Sequence, residues 1–227
     1  MKKRWWVVGG VIVVILAVLV GPWVYGTFIV EDDDPAASVS SDGAQAATGT
    51  VDGQWTVTPG GGANQTAAGY TVDENLNGAA NRVVGTTSDV AGTATVEEEK
   101  LTAAEVTVQV ATIATDVSIR DGMFRDSIVD TDAFPAATFA LSSPVDLSSL
   151  PKDGTAGTVT AQGMLTLKGE SRPVSVDMDV LHSGDNLIAS GSIPVTWTDF
   201  DVQPPSLGFV TVQGNGTVDF LVCLSHS

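Results

Sequence analysis

Residues 174–180 read Val-Ser-Val-Asp-Met-Asp-Val, with Val174, Val176, Met178 and Val180 in one set and Ser175, Asp177 and Asp179 in the other. A period of two puts the sets on opposite faces of a strand, whereas a helix would mix them around its circumference. The same parity separates Val106, Val108 and Val110 from Glu105, Thr107 and Gln109. A third apolar row, Val210, Val212, Val218, Phe220 and Val222, follows if no bulge shifts the register near Gly214 and Gly216. Each strand thus has one apolar and one wet face, so the chain must close a sheet over its own core, as an antiparallel barrel or a two-sheet sandwich. Further segments rich in Val, Thr and Ile (68–76, 82–96, 101–113, 158–167, 187–195 and 209–221) lie between turn signals such as Lys152-Asp153-Gly154 and Ser183-Gly184-Asp185-Asn186. No strand–helix alternation calls for a parallel sheet.

One stretch, residues 116–141, departs from this pattern. Ile119, Met123, Phe124 and Ile128 are spaced for one face of a short helix, and Pro135 stops it before alternation resumes at Thr138. The stretch also gathers Arg120, Asp121, Arg125 and Asp126. Two readings stand for this group: an ion-pair cluster pinning the helix over the sheet, which the residue types favour, or a contact for the polar or anionic group of a ligand.

The apolar run at the N-terminus sets the expected location. No charged residue occurs from Trp5 to Val30; Lys2, Lys3 and Arg4 precede the run and Glu31, Asp32, Asp33 and Asp34 follow it. Such a run is long enough to span a bilayer core of about 30 Å, and the charge asymmetry points its N-terminus to the cytoplasm. Trp5, Trp6, Trp23 and Tyr25 are placed as interfacial belts, and no small-x-small site ends the run. An uncleaved single-pass anchor is therefore preferred to a removed signal peptide. The expected organisation is a cytoplasmic basic tip and anchor over 1–30, a flexible acidic linker over 31–53, and an extracytoplasmic β-domain over 54–227. The formal charge of −17 becomes −20 once the basic tip is set aside, which excludes nucleic acid as a partner.

The residues that carry chemistry are sparse. His182 at an expected strand end and His226 in the tail are the two histidines, read as solvated, with no second ligand at metal spacing. Cys223 is the one cysteine, so no intrachain disulfide forms, and a packed thiol is expected. No triad, phosphate loop or nucleotide fingerprint occurs, so the expectation is no catalytic residue, no metal and no cofactor.

Three motifs together resemble the YceI-like family of lipocalin-like barrels associated with polyisoprenoid lipids. They are Ile119-Arg120-Asp121 through Phe134-Pro135 and Phe139; Gly163-Met164-Leu165-Thr166-Leu167-Lys168-Gly169 running to Pro173-Val174; and Trp55 with Ile193-Pro194-Val195-Thr196-Trp197-Thr198-Asp199-Phe200. The chain departs from the family where a His often follows the Arg-Asp pair and Met123-Phe124 stands here. The resemblance implies a mainly β, lipocalin-like antiparallel barrel with a short helix in its central insertion, and the apolar run adds one transmembrane helix before it. It implies an exported carrier of an isoprenoid or other long apolar lipid, a quinone or prenyl alcohol, with no enzymatic activity and with room for a homodimer. The expected lipid contacts are Phe124, Ile128, Phe134, Phe139, Leu165, Leu167, Val176, Met178, Val218 and Phe220. Arg120, Asp121 and Arg125 are the headgroup contact or structural ion pair. The rival from another class is a cell-surface interaction module whose barrel is filled by its own side chains.

Overall fold

The computed structural model describes residues 38–206 and 208–227. The expected anchor, residues 1–30, and the first part of the expected linker lie outside the described residues. Ten strands carry the fold: β1 (Gly53–Thr58), β2 (Ala67–Leu76), β3 (Ala79–Thr87), β4 (Val90–Glu97), β5 (Lys100–Gln109), β6 (Ala136–Leu141), β7 (Gly157–Leu167), β8 (Glu170–Ser183), β9 (Asn186–Thr196) and β10 (Val210–His226). Among them, eight antiparallel strands close a ring in the order β1, β4, β5, β6, β7, β8, β9, β10 and back to β1. This closed antiparallel barrel with one short helix confirms the coarse fold expectation. The final strand makes the closure. Its last residues pair with β1, Cys223 opposite Thr58 and His226 opposite Trp55, while its first part pairs with β2. The β2–β3 hairpin therefore stands on the rim as an extension of the wall.

Side-chain parity follows the sequence pattern closely. On β8, Val176, Met178 and Val180 are buried while Ser175, Asp177 and Asp179 are exposed. The exposed carboxylates are used: Thr158 and Thr160 donate from β7 to Asp179 and Asp177 at 2.8 and 2.6 Å. A bulge does interrupt β10, where Val212 faces Glu74 but Gly216 faces Val72. Two extra residues are taken up on β10, an even number, so Val210, Val212 and Val218 keep the same face.

The barrel's interior is divided along its length. Trp55, Val96, Leu101, Val176, Met178, Leu187, Val222 and Leu224 fill the end that carries the β8–β9 turn, and Val145, Leu147 and Leu150 close it from the β6–β7 connection. Trp55 is fully buried and its indole N–H donates to the Val51 carbonyl at 3.0 Å. The opposite end is covered by the insertion between β5 and β6. That insertion forms α1 (Ser118–Met123), continued without a break as a π-helical turn over Phe124–Val129, and the chain leaves it through Asp130 at φ 60°. The helix thus ends before Pro135 is reached, by a left-handed cap.

Three expectations are corrected. The linker expected over 31–53 is, in its described part, a strap bound to the barrel. The Val39 amide donates to Ser190 Oγ at 3.0 Å, Ser40 and Asn64 exchange two bonds of 2.8 Å, and the Ala47 and Thr48 amides reach the carbonyls of Lys152 and Gly184. Val39 and Ala44 cover Leu181, Ile188, Leu221 and Cys223, an apolar patch on the outside of β8, β9 and β10. Small residues sufficed because backbone groups make most of the bonds. His182 is not solvated but buried, edge-on to Trp55 with ring centres 6.1 Å apart. Asp121 does not pair with Arg120; it folds back to accept from the Thr115 amide and hydroxyl at 2.9 and 2.8 Å. Cys223 is buried as expected, and burial pushes its thiol up.

Candidate ligand-binding cavity

Beneath the helical insertion lies a cavity of about 430 Å³, within the range of sites that enclose small organic ligands. Strand alternation supplies most of its wall. Ala68, Tyr70, Val72, Glu74 and Leu76 project from β2, Val83 from β3, Val108 from β5, and Val210, Val212 and Val218 from β10. Its reach from Ala68 to Leu76 is eight residues of β2, about 26 Å along the strand. The insertion roofs it with Val117, Ile119, Met123, Phe124 and Ile128, the side of the helix that the sequence spacing picks out. Trp197, Val202, Pro204, Pro205 and Phe209 complete the side formed by the β9–β10 connection.

Three aromatic rings meet in this wall. Phe124 stacks on Tyr70 with centres 5.2 Å apart and planes 19° apart, and Trp197 meets Tyr70 edge-on at 6.3 Å. Two glycines make the room. A β-carbon on Gly85 would stand 2.7 Å from Tyr70 Cε1, and one on Gly216 would stand 2.6 Å from Trp197 Cζ2. Both rings lie flat against backbone where any side chain would push them into the cavity.

Charged groups sit only at the margin. Arg120 donates to Glu74 at 3.3 Å, to Asp116 at 2.5 Å and to the Thr115 hydroxyl at 3.2 Å. Glu74 is buried on β2 and also accepts from Asn81 at 3.1 Å. The guanidinium thereby ties α1 to the rim hairpin. Lys168 in the β7–β8 turn donates to the carbonyls of Ile128 and Asp201, both at 2.9 Å, and so ties the end of the helical turn to the β9–β10 connection. Arg125 has no side-chain partner among the described residues. Among the described residues no group of His, Cys, Asp and Glu is placed to hold a metal ion.

Of the residues expected to contact lipid, Phe124, Ile128, Leu167 and Val218 line this cavity. Leu165, Val176, Met178, Phe139 and Phe220 face the barrel interior but pack into the filled part. Phe134 is elsewhere, laid against Gly169 in the β7–β8 turn. Residues absent from the expectation include Tyr70, Val72, Glu74, Val83 and Trp197. The alternation of Tyr70, Val72, Glu74 and Leu76 was the signal for those on β2, obscured by a glutamate in the apolar register.

With this geometry, the sequence matches the YceI-like domain model over residues 55–223. The chain belongs to the YceI-like family. Among curated proteins, none matches the sequence. Its fold is similar to that of BcnA from Burkholderia cenocepacia, with a TM-score of 0.54 at 18% identity, covering 68% of this chain and 95% of that one. It is also similar to a polyisoprenoid binding domain from Saccharophagus degradans implicated in plant cell wall breakdown, with a TM-score of 0.56 at 12% identity, covering 76% of this chain and 98% of that one. At these identities the likeness is one of fold.

Proposed function

We propose that this YceI-like barrel binds one long apolar lipid, of the polyisoprenoid type, in the cavity under α1, and holds it without chemical change. The observation that carries the reading is the cavity itself: an elongated space walled by valine, proline and aromatic side chains, with its charges, Glu74, Arg120 and Lys168, at its margins. The polyisoprenoid binding domain of similar fold supports the choice of lipid class. Burying hydrocarbon contributes about 0.8 kcal/mol per CH₂, so a few isoprene units supply useful affinity even after the ordering costs of binding. Glu74 and Arg120 are engaged with each other and with Asp116, so they serve the roof's attachment, and a ligand's polar end is free to remain at the opening.

In this reading the apolar run from Trp5 to Val30 anchors the chain in the cytoplasmic membrane with the barrel on its outer side. The test is native mass spectrometry with lipid extraction on the full chain purified from bacterial membranes. A one-to-one adduct of isoprenoid mass is expected. A bare chain that takes up neither isoprenoid quinone nor prenyl alcohol overturns the reading. The packed far end, where Trp55 and its neighbours fill the interior, then favours a barrel whose function lies on its outer surface.

A further inference from the structure

The rim of the cavity carries exposed apolar side chains beside the charges of Arg120 and Lys168. Among the described residues only three large apolar side chains are well exposed, Ile119, Met164 and Phe209. Two of the three, Ile119 at 76% and Phe209 at 58%, line the cavity from its two sides, one on α1 and one just before β10. A single exposed apolar residue means little, but two large ones flanking the entrance of an apolar cavity, with Pro204 and Pro205 beside them, mark a contact surface.

The path of the chain says what that surface meets. The strap joins the barrel at Ser190, halfway along β9, and runs from there toward the β8–β9 turn, away from the cavity. Ser190 is six residues from Thr196, about 20 Å from the cavity end of β9. Only residues 31–37 separate the strap from the apolar run that ends at Val30, and seven residues extend at most about 25 Å. A segment of that length can span the distance from Ser190 to the cavity end of β9, so the chain's length permits the apolar run and the rim to meet one membrane. The acidic balance of the rest of the chain disfavours an anionic surface.

We infer that the rim formed by Ile119 and Phe209 docks on an uncharged or zwitterionic bilayer surface, so that the cavity opens directly to the membrane. The inference rests on the reading that the cavity takes an apolar lipid, and it adds the route: a hydrocarbon chain passes from bilayer to cavity without crossing water. Side chains such as phenylalanine and isoleucine partition into the headgroup–acyl boundary by burying apolar area there.

The experiment uses the full chain in phosphatidylcholine nanodiscs, with I119C, F209C and, on the outer wall near the far end of β5, A103C, each labelled with a fluorophore; native Cys223 is buried and stays unlabelled. Nitroxide groups on shallow acyl positions of the lipid are the quenchers. Strong loss of fluorescence at positions 119 and 209 with none at 103 is the expected result. Equal quenching at all three, no quenching at the rim, or a chain that does not stay with the nanodisc overturns the inference. Lipid extracted from the same samples keeps the two proposals apart. Isoprenoid in the protein with a dry-free, unquenched rim removes docking and leaves carriage, whereas a quenched rim on a barrel that never holds lipid removes carriage and leaves docking.

Discussion

Arg120 and Arg125 are five residues apart on one helical insertion, and their surroundings separate them. Arg120 bridges Glu74 and Asp116, and its loss leaves the Glu74 carboxylate buried with Asn81 as its remaining side-chain donor. Arg120→Met is expected to cost about 1.5–3 kcal/mol in urea unfolding, the range for hydrogen bonds to charged groups. Arg125→Ala should stay within about 0.5 kcal/mol, as substitutions away from such networks do. Equal losses would contradict the assignment of the pinning role to Arg120. His182 supplies a second residue-scale test. Burial lowers its imidazole below the ordinary value of 6.5, and nearby His226 adds to that. In the unfolded chain the same group charges at its ordinary value, so the unfolded state binds the extra proton first as pH falls. Stability should therefore decline below about pH 6.5, and His182→Leu should flatten the decline in Tm between neutral pH and about pH 5. At this scale the sequence was a partial guide. The clustering of Arg120 with acids was visible, but its partner Glu74 lies on a distant strand and nothing local named it. His182 looked like a solvated strand end because the ring it packs against, Trp55, lies on a strand far away in sequence.

The strap over the outside of β8, β9 and β10 is the element whose role the composition hid. Alternation fixes a strand's face wherever one side is buried, which is why β5, β7, β8 and β10 were readable and why the even bulge in β10 left its apolar row intact. The strap obeys no period. Ser, Ala and Gly at 38–50 resemble an unstructured spacer, yet its backbone is bonded to Ser190, Asn64, Lys152 and Gly184. Leu181 and Leu221, at 0% and 1% exposure, owe their burial in part to Val39 and Ala44. A chain begun at Gln54, the boundary that alternation suggests, should expose this patch and unfold at lower urea. Val39→Asp in the full chain should cost about 1–2 kcal/mol, from lost apolar burial and a charge set against leucine. Faster hydrogen exchange at the Ala47 and Thr48 amides would accompany it. An unchanged urea midpoint would show the strap to be ornamental.

The whole barrel combines a filled end and a hollow end on one continuous set of strands, and this division was not legible in the sequence. Parity reports which face a residue takes and says nothing of its depth along the barrel. Val176 and Val218 both point inward; Val176 is 2% exposed within the packed core, whereas Val218 lines the cavity. Enlarging each tests the division directly. Val176→Phe forces a ring into a space already occupied by Phe220 and its neighbours and should cost about 1–3 kcal/mol or more. Val218→Phe projects the same added volume into open space, so delipidated protein should lose less than about 1 kcal/mol. The lipid response should run the other way. Val218→Phe shortens the cavity at its wall and should reduce the bound isoprenoid seen by native mass spectrometry, whereas any Val176→Phe protein that folds should keep it. Equal destabilisation by the two rings would mean that the cavity end is as tightly packed as the far end. Lipid loss confined to Val176→Phe would place the ligand in the wrong half of the barrel for this fold to carry it under α1.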